Sequence, residues 1–303
     1  MFWYDRFDAF ACRKLPEMEV LCEEPMSRHT TFRTGGPARR MARPAAAEQL
    51  TAVLAMAEAE AWPVLVVGNG SNLLAEDSGL DFLVIQTGLL DTVEQTDETS
   101  LRAACGLSLA KLSSFAQKQS LSGLEFAHGI PGSLGGAVCM NAGAYGGEMC
   151  QIVSAVTAWF PGCGVKRLTR EELDFSYRHS VFSKRLGVVI DAELSLKKGD
   201  SIEIKSKMEE YGSRRRDKQP LEYPSAGSVF KRPPGHFAGA LIDQCGLRGF
   251  HIGGAQVSEK HAGFIINTGG ATSEDVRQLI AHVQRTVLEK TGVKLETEIK
   301  SVP

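Results

Sequence analysis

No two cysteines in this chain stand at Cys-x-x-Cys spacing, and the seven present, at 12, 22, 105, 139, 150, 163 and 245, are odd in number. A disulfide framework or a structural zinc site is therefore not expected, whereas a reducing compartment is. Charge of neither sign is in excess: a formal net charge of −2 leaves no basic surplus for nucleic acid or anionic lipid. The opening residues MFWYDRFDAF are aromatic but carry Asp5, Arg6 and Asp8, so they lack the continuous apolar core of a secretion signal, and a cytoplasmic protein is expected. Internal repeats, heptad arrays and low-complexity tracts are missing as well. What remains is ordinary globular composition, 43% hydrophobic and 23% charged over 303 residues. That is material for more than one core, and about two domains at ~150 residues each.

Against this background one stretch stands out. Residues 123–147, GLEFAHGIPGSLGGAVCMNAGAYGG, hold eight glycines in 25 positions, with no Asp, Glu, Lys or Arg from Phe126 to Gly147. About 20 uncharged residues could span a bilayer, but Gly, Pro131, His128 and Asn141 would leave irregular backbone unsatisfied in lipid. A buried loop and helix start fits better, with Pro131 placed to lead a short helix and backbone amides close to a bound anion. A tight structural crossover between packed elements is the plain alternative.

Along the chain, the first 30 residues read as a helical lead-in ending near Pro25. HTTFRTGGPARR (29–40) then turns at Gly35-Gly36-Pro37 into a short strand. Leu50, Val53, Leu54, Ala57 and Ala61 share one face of a helix stopped by Pro63. Residues 64–67 are a short apolar strand entering Gly68-Asn69-Gly70-Ser71-Asn72, and 82–85 form a second. Residues 93–104 read as a hairpin and 109–119 as a helix. Strands at 152–160 and 188–196 enclose a turn-rich segment containing SYRHS (176–180). The main boundary is expected near 199–213. Val276, Leu279, Ile280, Val283, Val287 and Leu288 make one helical stripe, capped by Thr272 or Ser273 and ended by Gly292, with a strand over 293–299 to follow. Mixed elements without regular βα alternation favour an α+β fold over a doubly wound parallel sheet.

The motifs narrow the chemistry by exclusion. VLVVGNGSN (64–72) is not a dinucleotide fingerprint, because G-x-G-x-x-G fails at Leu73, and it is not a P-loop, because no Gly-Lys-Ser/Thr follows. Alone it is as readily an ordinary tight turn. Joined to Gly129–Gly143 it becomes a two-part cradle for a large phosphorylated cofactor. No G-x-S-x-G elbow supports a hydrolase, so Ser228, after two small residues in YPSAGSVFKRP, would serve as a proton donor and not as an activated nucleophile. By default Arg178 is a solvated turn residue, Glu298 a surface carboxylate, Arg214–Arg216 a solvated helix end, and His128 and His261 packed or loop histidines with no second ligand at metal spacing. No metal site is expected.

Read in order, HTTFRTGGPA, VLVVGNGSNLL, LEFAHGIPGSLGGAVCMNAGAYGGE, FSYRHSVF, QPLEYPSAGSVFKRP, GGAQVSEKHAGFIIN and GVKLETEI resemble the UDP-N-acetylenolpyruvoylglucosamine reductase family, from about residue 25 to the end. The first three segments also resemble the wider group of vanillyl-alcohol-oxidase-like FAD-binding domains; the C-terminal ones are far more specific. The resemblance implies an FAD-binding domain over 1–199, built of two α+β subdomains at about 1–88 and 89–199. It also implies an α+β substrate-binding domain over 200–303, with the tail from about 294 a candidate to pack back on the FAD domain. It further implies that NADPH reduces non-covalent FAD, and that reduced FAD delivers a hydride to the enolpyruvyl double bond of UDP-N-acetylglucosamine enolpyruvate, in ping-pong order. No nucleic acid or membrane partner is implied, and a monomer is expected.

By the same resemblance, Arg178 of the Tyr-Arg-x-Ser motif holds developing negative charge, Ser228 donates the proton, and Glu298 assists it, with Glu296 the weaker candidate. The FAD cradle falls on Gly68, Asn69, Gly70, Ser71 and Asn72 and on Gly129, Ile130, Pro131, Gly132, Gly135, Gly136, Asn141 and Gly143. Tyr177, Lys218 and Arg232 match the substrate-binding positions, Arg232 standing where the family has Asn. Nothing between Arg178 and Gly199 is long enough for an extra tyrosine-bearing loop, which points to the shorter form of the family. Two rivals remain: another FAD-dependent oxidase or dehydrogenase of the superfamily, or a non-catalytic flavin-binding regulator.

Overall fold

The computed structural model describes residues 2–303, which fold as two compact units. The first comprises 1–22, 40–69 and 82–214; the second comprises 23–39, 70–81 and 215–303. The chain thus leaves the first unit and returns twice before ending in the second.

Among the described residues the α-helices are α1 (Trp3–Lys14), α2 (Ala47–Ala59), α3 (Leu109–Lys118), α4 (Leu134–Cys139), α5 (Ser201–Lys218), α6 (Ala238–Gln244) and α7 (Ser273–Thr291). In the first unit, an antiparallel sheet takes the order Gly164–Thr169, Val153–Phe160, Val188–Ser195, Ser100–Ala104, Val93–Gln95. The strand Val64–Val67 lies parallel to Leu80–Gln86, with Val64 opposite Leu83. A core running from Phe7 to Leu196 buries the α2 stripe (Leu50, Val53, Leu54, Ala57) together with Leu109, Leu112 and Ala116 of α3. Helix and strand periodicity decide these elements, because each buries the face that its apolar residues share.

The second unit pairs four strands in the order Ser225–Ser228, Phe264–Asn267, Ala255–Val257, His251–Ile252. Val276, Leu279, Ile280, Val283 and Val287 of α7 are buried in its core beside Leu241 and Ile242 of α6. Each such side chain stabilises the fold by about 1.5–3 kcal/mol. Thr272 caps α7: its hydroxyl accepts from Asp275 N at 3.0 Å, while the Asp275 carboxylate accepts from Thr272 N at 3.0 Å. Gly292, at φ 72°, ends the helix as expected.

Several local expectations change. Residues Glu19–Pro25 are a strand and not the end of a helical lead-in, because Val20 and Leu21 are half-buried in a pleated edge. α2 ends at Ala59, and Ala61 takes φ 52° outside it. Pro131 precedes α4 without leading it; Ser133 is the N-cap. The segment 199–213, where the main boundary is expected, forms most of the 18-residue α5, and the last segment of the first unit ends just after it, at 214. The strand expected over 293–299 is irregular, reduced to one bridge between Thr297 and Phe230, and the regular strand is Lys300–Val302, parallel to Leu73–Ala75. Leu295 and Ile299 are buried there in place of a β face.

Thr272→Ala is expected to lower stability by about 1 kcal/mol in urea denaturation, since it removes one helix cap.

Candidate functional site

In the first unit, the two glycine-rich stretches are bonded to each other. Asn69 Nδ2 donates to Pro131 O at 3.2 Å, and a Cβ on Gly68 would stand 2.0 Å from Ser133 Oγ. Only a residue without a side chain allows that approach. Around it, Gly129, Pro131 and Gly136 are exposed, and a Cβ on Gly136 would meet nothing closer than Ser133 Oγ at 3.6 Å. Gly136 therefore leaves its backbone open to a ligand. Gly135 is different: it is buried, its N donates to Cys105 O at 2.8 Å, and a Cβ there would lie 2.9 Å from Cys105 Cβ. That glycine serves helix packing. Gly132 O accepts from Leu109 N, and half-buried Ile130 packs on the core. His128 Nδ1, just before Gly129, is buried and meets no protein partner. An open glycine edge beside a buried polar atom suits a bound dinucleotide cofactor.

Asn141 is 1% exposed, at φ 41°. Its Nδ2 donates to Glu148 Oε2 and to Ser176 O, both at 3.0 Å, and its Oδ1 accepts from Cys150 N at 2.9 Å. Both amide hydrogens are thereby committed to protein. Ser176 and His179 exchange backbone hydrogen bonds at 3.1 Å, closing a two-residue loop of Tyr177 and Arg178. Arg178, at φ 54°, donates from Nη2 to Gly143 O at 3.4 Å and lies 5.2 Å from the centre of the Tyr177 ring. The turn holding Arg178 is thus built onto the glycine stretch.

In the second unit, the strand Ser225–Ser228 places Ser228 exposed and opposite Phe264. Glu298 N donates to Val229 O at 2.7 Å, so the segment carrying Glu298 runs beside Ser228. Asn72 Nδ2 donates to Glu298 O at 3.1 Å, and Asn72 O accepts from Lys300 N at 3.0 Å. Asn72 therefore fastens the tail that carries the carboxylate. Glu296 is exposed and paired with Lys231 Nζ at 3.6 Å, whereas Glu298 is half-buried. Gly70 is buried at φ 59°, with His29 O only 1.9 Å from where a Cβ would stand, and Ser71 follows it half-buried. Lys218 is exposed at the end of α5. Arg232 is exposed too, its guanidinium 4.6 Å from the Phe237 ring centre, which supplies the cation–π partner an Asn there would not need.

Three features escaped the sequence. Ser180, fully buried, donates from Oγ to Cys139 O at 2.8 Å; the signal was its hydroxyl at the end of SYRHS. The Thr31 and Thr34 hydroxyls within HTTFRTGG are buried and meet no protein partner. Burial pushes the Cys105 thiol up to about 12, which keeps it protonated and inert. Among the described residues no cluster of His, Cys, Asp and Glu could hold a metal ion, and no helix is long and apolar enough to cross a membrane.

Residues 38–168 match the family model described as an FAD binding domain, and residues 219–302 match the C-terminal domain of UDP-N-acetylenolpyruvoylglucosamine reductase. The chain is similar to alkyldihydroxyacetonephosphate synthase with a TM-score of 0.51 at 15% identity, over 65% of this chain and 41% of that one, a likeness of fold alone. Fold and cradle together define an α+β flavoprotein with an FAD-binding domain. The reductase of Listeria welshimeri is 48% identical over 96% of this chain and 97% of its own, and that of Caldanaerobacter subterraneus 47% over 95% of each. The crystal structure of the Thermus caldophilus reductase aligns with a TM-score of 0.78 at 37% identity, covering 94% of this chain and 99% of that one. The chain belongs to the UDP-N-acetylenolpyruvoylglucosamine reductase family.

Two predictions follow from the site. Gly70→Ala is expected to lose bound flavin, read as the ratio of flavin absorbance to protein, because the methyl would collide with the His29 carbonyl at a left-handed φ. His261 is a packed histidine as expected: Nδ1 accepts from Gly263 N at 3.1 Å, and the ring lies edge-on to Phe264. Burial holds its pKa below the ordinary 6.5. Its stability contribution is then complete above 6.5 and is lost as pH falls through that value toward the lower folded one. His261→Gln should flatten the fall in unfolding free energy between about pH 7 and pH 5.

Proposed function

We propose that the chain reduces the enolpyruvyl group of UDP-N-acetylglucosamine enolpyruvate to UDP-N-acetylmuramate, with NADPH as reductant and FAD as carrier, as a cytoplasmic monomer in peptidoglycan precursor synthesis. When bound, FAD accepts two electrons from NADPH and supplies them as a hydride. In this reading the cofactor-facing residues of the first unit are Gly68, Asn69, Gly129, Pro131 and Gly136.

The observation that carries the reading is the placement of Ser228 and Glu298. Exposed Ser228 and half-buried Glu298 lie on adjacent backbone segments joined by the Glu298 N to Val229 O bond, in the part of the chain that matches the reductase's C-terminal domain. An alcohol oxidase of the wider superfamily needs a base that removes a proton, whereas this pair is suited to giving one. Hydride addition to one carbon of the enolpyruvyl double bond leaves an enolate-like carbanion on the other, beside the substrate carboxylate. Arg178 holds that charge, as a guanidinium is always protonated and forks to a carboxylate. Ser228 Oγ donates the proton that completes the product. Serine is a poor acid, so Glu298 serves to relay or position that proton. Tyr177, Lys218 and Arg232 bind the nucleotide diphosphate and uridine, Lys218 and Arg232 through their charge.

Purified protein is expected to be yellow and to oxidise NADPH stoichiometrically with the enolpyruvyl sugar nucleotide. Ser228→Ala should slow reoxidation of the reduced flavin by substrate by about 10²–10⁴-fold while NADPH still reduces it at the wild-type rate. Unchanged turnover in that variant would sink the proton-donor role, and protein that takes up no flavin on reconstitution would sink the whole reading.

A further inference from the structure

We infer that Asn141 and Ser180 are positioning residues that hold Arg178 in register with the glycine stretch. The hydrogen bonds close a ring. Asn141 Nδ2 donates to Ser176 O at 3.0 Å, and Ser176 pairs with His179 around the Tyr177–Arg178 loop. Arg178 Nη2 donates to Gly143 O at 3.4 Å; Gly143 stands opposite Glu148 in a short antiparallel ladder. Glu148 Oε2 accepts from Asn141 Nδ2 at 3.0 Å, which returns to the start. A second tie lies on the far shoulder of the loop, where Ser180 Oγ donates to Cys139 O at 2.8 Å. Both anchors are sealed from water, Asn141 at 1% and Ser180 at 0% exposure. Their bonds are therefore not exchanged for solvent ones, and removing one partner leaves buried groups unpaired.

The backbone supports the same conclusion. Arg178 and Asn141 both hold left-handed conformations, at φ 54° and 41°, which residues with a Cβ seldom adopt. Such conformations persist where the surroundings over-determine them. Because Asn141 commits both amide hydrogens to protein, its side chain acts through the arginine turn and not as a hydrogen-bond donor to a ligand. This inference rests on the reading of Arg178 as the group that holds developing charge.

The test is a double-mutant cycle in flavin-loaded holoenzyme, with stopped-flow absorbance following flavin reduction by NADPH and reoxidation by the enolpyruvyl sugar nucleotide separately. S180A is expected to leave reduction within about twofold and to slow reoxidation at least about tenfold. In the R178A background the same substitution should slow reoxidation by less than about twofold, because the group it positions is gone. An equal loss in both backgrounds, or an equal loss in both half-reactions, would overturn the inference. If S180A does not retain flavin, N141A and N141A/R178A carry the cycle on the reoxidation rate alone. Loss of flavin from both variants would assign the two residues to folding alone and would also overturn it. Wild-type protein whose flavin the substrate does not reoxidise would instead remove the proposed function.

Discussion

The structure of the first unit depends on one close approach: the backbone of Gly68 against the Ser133 side chain, with Asn69 bonded to the Pro131 carbonyl beside it. A methyl group at Gly68 would occupy the space that the Ser133 hydroxyl fills. Two chain segments more than 60 residues apart must therefore meet without a side chain between them. The elements around that meeting follow from it. The strand Val64–Val67 lies parallel to Leu80–Gln86 and delivers one edge of the turn. α3 and α4 deliver the other, each held by backbone bonds that involve Gly132 and Gly135. The glycines divide the work, since Gly135 packs against Cys105 while Gly136 leaves open space.

Chemistry is divided along the chain in a related way. Arg178 hangs from the glycine stretch of the first unit, whereas Ser228 and Glu298 belong to the second, where Asn72 fastens the tail. The proposed reaction makes two separate demands, and the residues proposed to meet them belong to different units. One demand is charge that develops as hydride arrives, and the other is a proton that must follow. Electrostatic stabilisation of that charge requires the arginine to be placed beforehand, because reorganisation during the reaction would cancel part of the gain. The hydrogen-bond ring through Asn141, Glu148 and Gly143 is a structural means to that end.

How much of this was legible in the sequence varies with range. Elements whose burial follows their own periodicity were readable: the α2 stripe through Ala57, the α7 stripe with its Thr272 cap and Gly292 stop, and the hairpin after Val93. That the two glycine stretches meet was readable because glycine in quantity signals backbone approach. What escaped was set by partners distant in sequence. Glu19–Pro25 reads as amphipathic helix until its strand neighbours are known. The tail 293–299 looks like a strand by alternation, yet it buries Leu295 and Ile299 and keeps a single bridge, at Thr297. Ser180 and Glu148 gain their roles only when 139–148 and 176–180 meet, which no local pattern announces.

Glu296 and Glu298, alike by spacing, differ in their surroundings in the fold. Both are carboxylates two residues apart, and an extended chain would put them on one face. In the fold, Glu296 reaches outward to Lys231 as an exposed ion pair, the kind that contributes about 0–1 kcal/mol. Glu298 is half-buried, its N–H bonded to the residue after Ser228 and its carbonyl to Asn72 of the glycine turn. A carboxylate that assists a weak acid must be held near it and partly shielded from water, where its charge is felt most. Of the two, Glu298 has the surroundings that support the proposed role, and the residue that fastens it, Asn72, closes the same Gly-Asn-Gly-Ser-Asn turn that begins at Gly68.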